Sequence, residues 1–286
     1  MSLTIDIRLS LVYCIKNECL MQLKRKIMEG DRRALAFKLD YQRGFSLVEL
    51  LVVIAILALL LSLLFPVVNS VLHQSRVSSD MSNLRSLQTA HFNYAIDSEG
   101  RFADAGLSHG GLANEEIAWL NSMKDHGADI DKIIRSPLDK SPFWDMPIEG
   151  TSDRFRRTSY GWNNFLSRTH SPDAAIDPQK ATDRISRIKH PASVIHFLPM
   201  AWSGSFAGAD HVHVENWWVN DSLPDAPPVL AANQVQTNVV SGEAGSPSAK
   251  ANYGFVDGHV ETLSFSKTYN RPDRNQFDPK INSFLQ

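Results

Sequence analysis

The sequence predicts an α+β protein: a long N-terminal α-helix, transmembrane in its first half and amphipathic in its second, packed on a small antiparallel β-sheet head. Three observations predict it. Residues 47–65 form an apolar run broken only by Glu49 and Ser62. Beyond Pro66, apolar residues recur at helical spacing as far as Tyr94. Near the C-terminus, Asp257-Gly258 separates two runs of alternating character, which is the pattern of a β-hairpin.

The bulk numbers exclude more than they assign. With 286 residues the chain holds one substantial domain or two small ones. A net charge of -2 provides no basic footprint for nucleic acid. Hydrophobic residues make up 43% of the chain, which argues against wholesale disorder. The two cysteines, Cys14 and Cys19, both precede the apolar run. A chain cut near Gly44 therefore contains no cysteine, no disulfide framework and no thiolate metal ligand.

As a helix, 47–65 would extend roughly 28 Å, close to the hydrocarbon thickness of a bilayer. Basic residues cluster before it, from Lys24 to Arg43, whereas the next twenty residues carry only Arg76 and Arg85. The positive-inside rule then puts the N-terminus in the cytoplasm and everything beyond Phe65 outside. An ordinary signal peptide has a shorter apolar region ending in a small-x-small site. This run leads instead into Pro66-Val-Val-Asn. Glu49 is the exception inside it. At the end of the segment it could reach the headgroups; cleavage after Gly44 would instead place a free α-amine on Phe45, four residues away, able to neutralise it.

After Pro66, which should kink the helix by removing a hydrogen bond, Val67, Val71, Met81, Leu84, Leu87 and Tyr94 mark one face as far as the stop signal at 97–100. One helix over 46–97 accounts for the pattern. Residues 114–123 then read as a short helix with Asn114 as its cap, and 128–135 as a further turn. Prolines 137, 142 and 147 mark a loop. Residues 159–166 and 193–198 read as strands, 221–228 and 241–248 as surface loops. In the hairpin, 251–256 and 259–264 are the strands, with Tyr253, Phe255, Val260 and Leu263 on apolar faces around a two-residue type I′ turn.

The residues Arg-Gly-Phe-Ser-Leu-Val-Glu-Leu at 43–50 resemble the cleavage and methylation motif of type IV prepilins and type II secretion pseudopilins. The resemblance implies cutting by a prepilin peptidase between Gly44 and Phe45, N-methylation of Phe45, and a role for Glu49 in methylation and subunit registration. Pro66 matches a helix-kinking proline of the family. The implied organisation is a leader over 1–44, a helix over 45–98 and a periplasmic head over 99–286. A leader of 44 residues is long for the family, and Met28 or Met21 is the expected translation start. Ala-Asn-Tyr-Gly-Phe-Val-Asp-Gly-His-Val-Glu at 251–261 resembles an element of the H-X9-DG pilin-like subfamily. The histidine that usually defines that element is replaced here by Pro247.

Candidate chemistry is sparse. If 210–215 is a strand, His211, His213 and Glu215 share one face and offer zinc, or another divalent ion, two imidazoles and a carboxylate. The other reading is an exposed strand with a polar face. Calcium in a C-terminal loop is implied by resemblance to major pseudopilins, but Asp221, Asp225, Asp273 and Asp278 lack the regular spacing of an EF-hand. Trp217-Trp218 reads either as an adhesive patch or as core and interface together. No Gly-x-Ser-x-Gly, Walker loop or dinucleotide fingerprint occurs, so no enzyme is expected. Two functions follow. One is a structural subunit of a type II secretion-like pseudopilus or type IV pilus, with other subunits, inner-membrane assembly machinery and lipid as partners. The other is a membrane-tethered periplasmic binding module that uses the leader only for export.

Overall fold

The computed structural model describes residues 45–109, 115–127 and 129–281. The chain divides into two compact units, Met1–Leu63 and Leu64–Gln286. Helix α1, Leu47–Asp97, passes through that boundary and continues without interruption past Pro66. Its side chains from Leu47 to Leu64 are exposed, and the stretch is long and apolar enough to cross a membrane.

In the second unit, α1 becomes the spine of a core. Val77, Leu84, Leu87, Ala90 and Ala95 are buried on one stripe, as are the polar Asp80, Gln88 and His91. A four-stranded antiparallel sheet takes part in the same core, in the order β1 (Tyr160–Trp162), β2 (Ile195–Pro199), β3 (Lys250–Phe255) and β4 (Val260–Ser264). Side chains alternate along β3, as the pleat requires. Ala251, Tyr253 and Phe255 pack with Trp217, Phe265, Tyr269 and Phe277. On the opposite side, Asn252 reaches Asp80 at 2.7 Å and Gly254 lies against Gln88. A Cβ on Gly254 would stand 2.7 Å from the Gln88 amide nitrogen, so glycine lets the helix come this close. A two-stranded ribbon of β5 (Tyr269–Arg271) and β6 (Arg274–Asn275) follows.

Several local expectations change. The helix expected over 114–123 is confined to Trp119–Ser122 and begins without a side-chain cap, while Asn114 lies outside the described residues. That expected over 128–135 is the single turn Ile130–Ile133. The strand expected over 159–166 stops at Trp162, because Asn163 accepts the Phe165 N–H and turns the chain into a 3-10 helix, Asn164–Leu166. The loop expected over 221–228 gives way to a helix, Pro227–Ala232, which starts with proline where a missing N–H costs nothing.

The hairpin turn also differs. Strand β3 ends at Phe255, whose carbonyl accepts the Gly258 N–H at 2.9 Å and whose N–H donates to the His259 carbonyl at 2.9 Å, leaving Val256-Asp257-Gly258 as a three-residue loop. Only Gly258 has a positive φ, +96°, whereas a type I′ turn needs two. The result is a tight turn whose third residue takes the left-handed conformation that glycine tolerates. Pro247 is exposed, and its carbonyl accepts the Ser266 N–H at 2.9 Å.

Candidate functional site: the N-terminal segment and a histidine cluster

At the start of α1, the Ser46 N–H donates to the Glu49 carboxylate at 2.9 Å, and the Glu49 N–H donates to the Ser46 hydroxyl at 3.1 Å. This reciprocal pair is a capping box, and it satisfies two of the N–H groups that a helix start leaves unpaired. It gives Glu49 a partner that the reading from the sequence did not include: its carboxylate binds backbone in its own first turn, at the positive end of the helix dipole. Phe45 is exposed, and Gly44 lies outside the described residues. Pro66 sits inside α1 with no N–H to donate to the carbonyl four residues before it.

The second constellation is in the head. Residues 210–215 are not a strand. His211 makes a single bridge to Trp162, and then side-chain amides take over the backbone. Gln234 accepts the His213 N–H at 2.7 Å and Asn164 accepts the Val214 N–H at 3.2 Å, leading into a 3-10 helix, Val214–Trp217. His211 and His213 nevertheless come together, and His109 joins them from about a hundred residues earlier. The ligand atoms of these three histidines all lie within 4.8 Å of one another. Nε2 of His213 is 2.9 Å from Nε2 of His109. Glu215 lies outside that group of three. Its Oε1 faces Nδ1 of His213 at 3.1 Å, and its Oε2 accepts from the Asn164 amide at 2.7 Å.

Asp210 is buried beneath the cluster. Its carboxylate accepts the N–H groups of Gly106 and Leu107 at 2.9 and 3.0 Å and meets Nδ1 of His211 at 3.0 Å. Burial pushes the Asp210 carboxyl up to about 6 against the pull of those two N–H groups. Burial also lowers His211 to about 3 and both His109 and His170 to about 4, so the imidazoles are neutral near pH 7. His170 borders the group, its ring centre 4.1 Å from that of His211 and its Nδ1 2.7 Å from the Thr169 hydroxyl. Phe206 stacks flat on His109 at 4.4 Å. Sequence reasoning missed His109 and the part played by Asp210, since no spacing rule links a lone histidine to a pair so far along the chain.

Three of the four loop acids and both tryptophans are engaged elsewhere. Asp221 and Asp273 both pair with Arg271, at 3.5 and 2.7 Å, while Asp278 accepts the Lys280 N–H at 2.9 Å. Trp217 is fully buried against Tyr269 and Phe277, and Trp218 lies 5.7 Å beneath the Arg271 guanidinium.

A membrane-length apolar helix, capped at its start and continuing as the spine of an α+β head, fits a single-pass membrane-anchored protein of pilin-like build. Residues 39–65 match the family model described as the prokaryotic N-terminal methylation motif, and the protein is type IV pilin-like in this segment. The motif implies processing by a prepilin peptidase and assembly with other pilin subunits. No curated protein and no solved structure matched the chain.

Proposed function

We propose that the protein is a structural subunit of a type II secretion-like pseudopilus or type IV pilus. The leader over 1–44 is removed after Gly44, Phe45 is methylated, and the chain waits in the inner membrane with its head in the periplasm. Assembly proceeds through the apolar half of α1, where Glu49 sets the register and Pro66 gives the helix a flexible point. The observation that carries this reading is the methylation motif at the head of a membrane-length helix. The resemblance of the hairpin, together with a mature chain free of cysteine, favours the secretion pseudopilus.

The capping box makes the test more discriminating. Glu49→Gln keeps a side chain able to complete the box but removes the charge. Under the assembly reading it abolishes filaments while the membrane-inserted, folded subunit accumulates. Normal assembly of Glu49→Gln would sink the registration role. The mature N-terminus comes first, however: an N-methyl-Phe45 in the mass spectrum of the membrane form supports processing, and an uncut chain removes the proposal. The second reading, a tethered binding module, is favoured by one observation, the histidine cluster in the head. There, export continues and head binding survives in Glu49→Ala.

A further inference from the structure

We propose that His109, His211 and His213 form a zinc-type divalent metal site in the head, with Asp210 and Glu215 holding two of the three rings. The geometry points there by three independent routes. First, the three ligand atoms already lie within 4.8 Å of one another, and one pair is at 2.9 Å. Tetrahedral coordination at the usual Zn–N length separates neighbouring nitrogens by about 3.3 Å, so rotations moving the rings by no more than about 1.5 Å complete the set.

Second, each imidazole of the 211/213 pair has its Nδ1 against a carboxylate, Asp210 for one and Glu215 for the other. A carboxylate at Nδ1 fixes the proton there and leaves Nε2 as a bare lone pair, the arrangement that orients and strengthens histidine ligands. Asp210 is itself anchored by two backbone N–H groups, so the support is rigid. Third, Nε2 of His211 is buried, with His211 1% exposed, and finds no hydrogen-bond partner among the described residues. A buried lone pair without a donor is costly, and a metal ion is the partner that suits it.

Three imidazole nitrogens suit zinc, copper(II) or nickel over magnesium or calcium, which prefer oxygen. A three-histidine set also leaves one coordination position for water or an outside ligand. The site is independent of filament assembly, so neither proposal depends on the other.

The test uses the full chain in detergent, without a polyhistidine tag, carrying Cys14→Ser and Cys19→Ser so that leader thiols contribute nothing. After chelator treatment, Zn²⁺ is added and bound metal measured by equilibrium dialysis. One equivalent per chain at submicromolar free zinc is expected. His109→Gln and His213→Gln, at half-buried positions, should each weaken binding at least 100-fold while thermal unfolding stays cooperative. Asp210→Asn should weaken it about 10- to 100-fold. Cobalt(II) should give the intense visible bands of a tetrahedral site, and His109→Gln should lose them. No stoichiometric zinc, one equivalent that survives the double variant His109→Gln/His213→Gln, or only the pale spectrum of six-coordinate cobalt would each overturn the proposal.

Discussion

The Tyr160 hydroxyl donates a 2.7 Å hydrogen bond to Oδ1 of Asp80, joining β1 to the long helix inside the core. Ser136 donates to the same oxygen at 2.5 Å, and Asn252 of β3 donates to Oδ2 at 2.7 Å. One carboxylate thus ties three distant parts of the head to α1. Burial raises its carboxyl against the pull of the three donors. In Asp80→Ala the donors remain buried without an acceptor, and the head should lose about 2–4 kcal/mol. Chemical denaturation of the detergent-solubilised chain measures this, and a loss under 1 kcal/mol, about one net hydrogen bond, would show that water replaces the carboxylate freely.

A second dependence concerns acid. His91 and His196 face each other in the core with ring centres 4.2 Å apart, both fully buried. Gln88 accepts from Nδ1 of His196 at 2.7 Å, while His91 makes no hydrogen bond among the described residues. Burial lowers His91 to about 3, and burial together with His91 lowers His196. The unfolded imidazole takes its proton near pH 6.5, the folded one only near 3, so the unfolded chain binds more protons between those values. Stability is full above pH 6.5 and falls as acid is added, by about 1.4 kcal/mol per pH unit for each such histidine. In His91→Leu the slope of stability against pH between 6.5 and 4 should flatten by one proton. An unchanged slope would mean that His91 protonates readily in the fold.

The ion pair between Arg156 and Asp139 is buried on both sides, with Nε 2.8 Å from Oδ2. The same guanidinium donates to the carbonyls of Ala201 and Ala207 at 2.7 Å and of Met200 at 3.1 Å. Arg156→Met should cost about 3–5 kcal/mol, since it strands a buried carboxylate and three carbonyls. Arg156→Lys should rescue little, because a single ammonium cannot reproduce the planar fork. Rescue by lysine to within 1 kcal/mol of the parent, the value of an ordinary exposed pair, would reduce the interaction to charge alone.

The hairpin offers a smaller, cleaner effect. Gly258, at φ +96°, also brings the turn against Phe92, whose ring edge would stand 3.1 Å from an added Cβ. Gly258→Ala should destabilise by about 1 kcal/mol or somewhat more. Val256→Ala tests the same turn by truncating its fully buried side chain while leaving the N–H bond to Val194 intact.

What the sequence revealed was what local chemistry determines. The extent of α1 follows from apolar length and periodicity, which need no knowledge of the rest of the chain. Asp257-Gly258 announced a hairpin but not its turn type, because the loop also takes in Val256, whose N–H bonds to Val194 far earlier in the chain. The histidine site was half legible for the same reason. His211 and His213 stand together in sequence, but His109 arrives through the tertiary fold, and Glu215 turns to Nδ1 of His213 and the Asn164 amide. Polar core residues were the least legible: Asp80, Gln88 and His91 look like solvent-facing positions until their partners on the sheet are known.

Those partners also set a timetable. Gln88 waits for the Phe255 carbonyl, 167 positions later, and Asp80 waits for Asn252, 172 positions later. At ordinary rates of synthesis that gap lasts roughly 10–35 s. Throughout it, α1 exists without the hairpin that satisfies its buried polar groups. Contacts this distant along the chain also make closure slow once the hairpin is made. The newborn chain therefore passes through a prolonged open stage with Asp80 and Gln88 short of their hairpin partners, when a chaperone has its best opportunity to intervene.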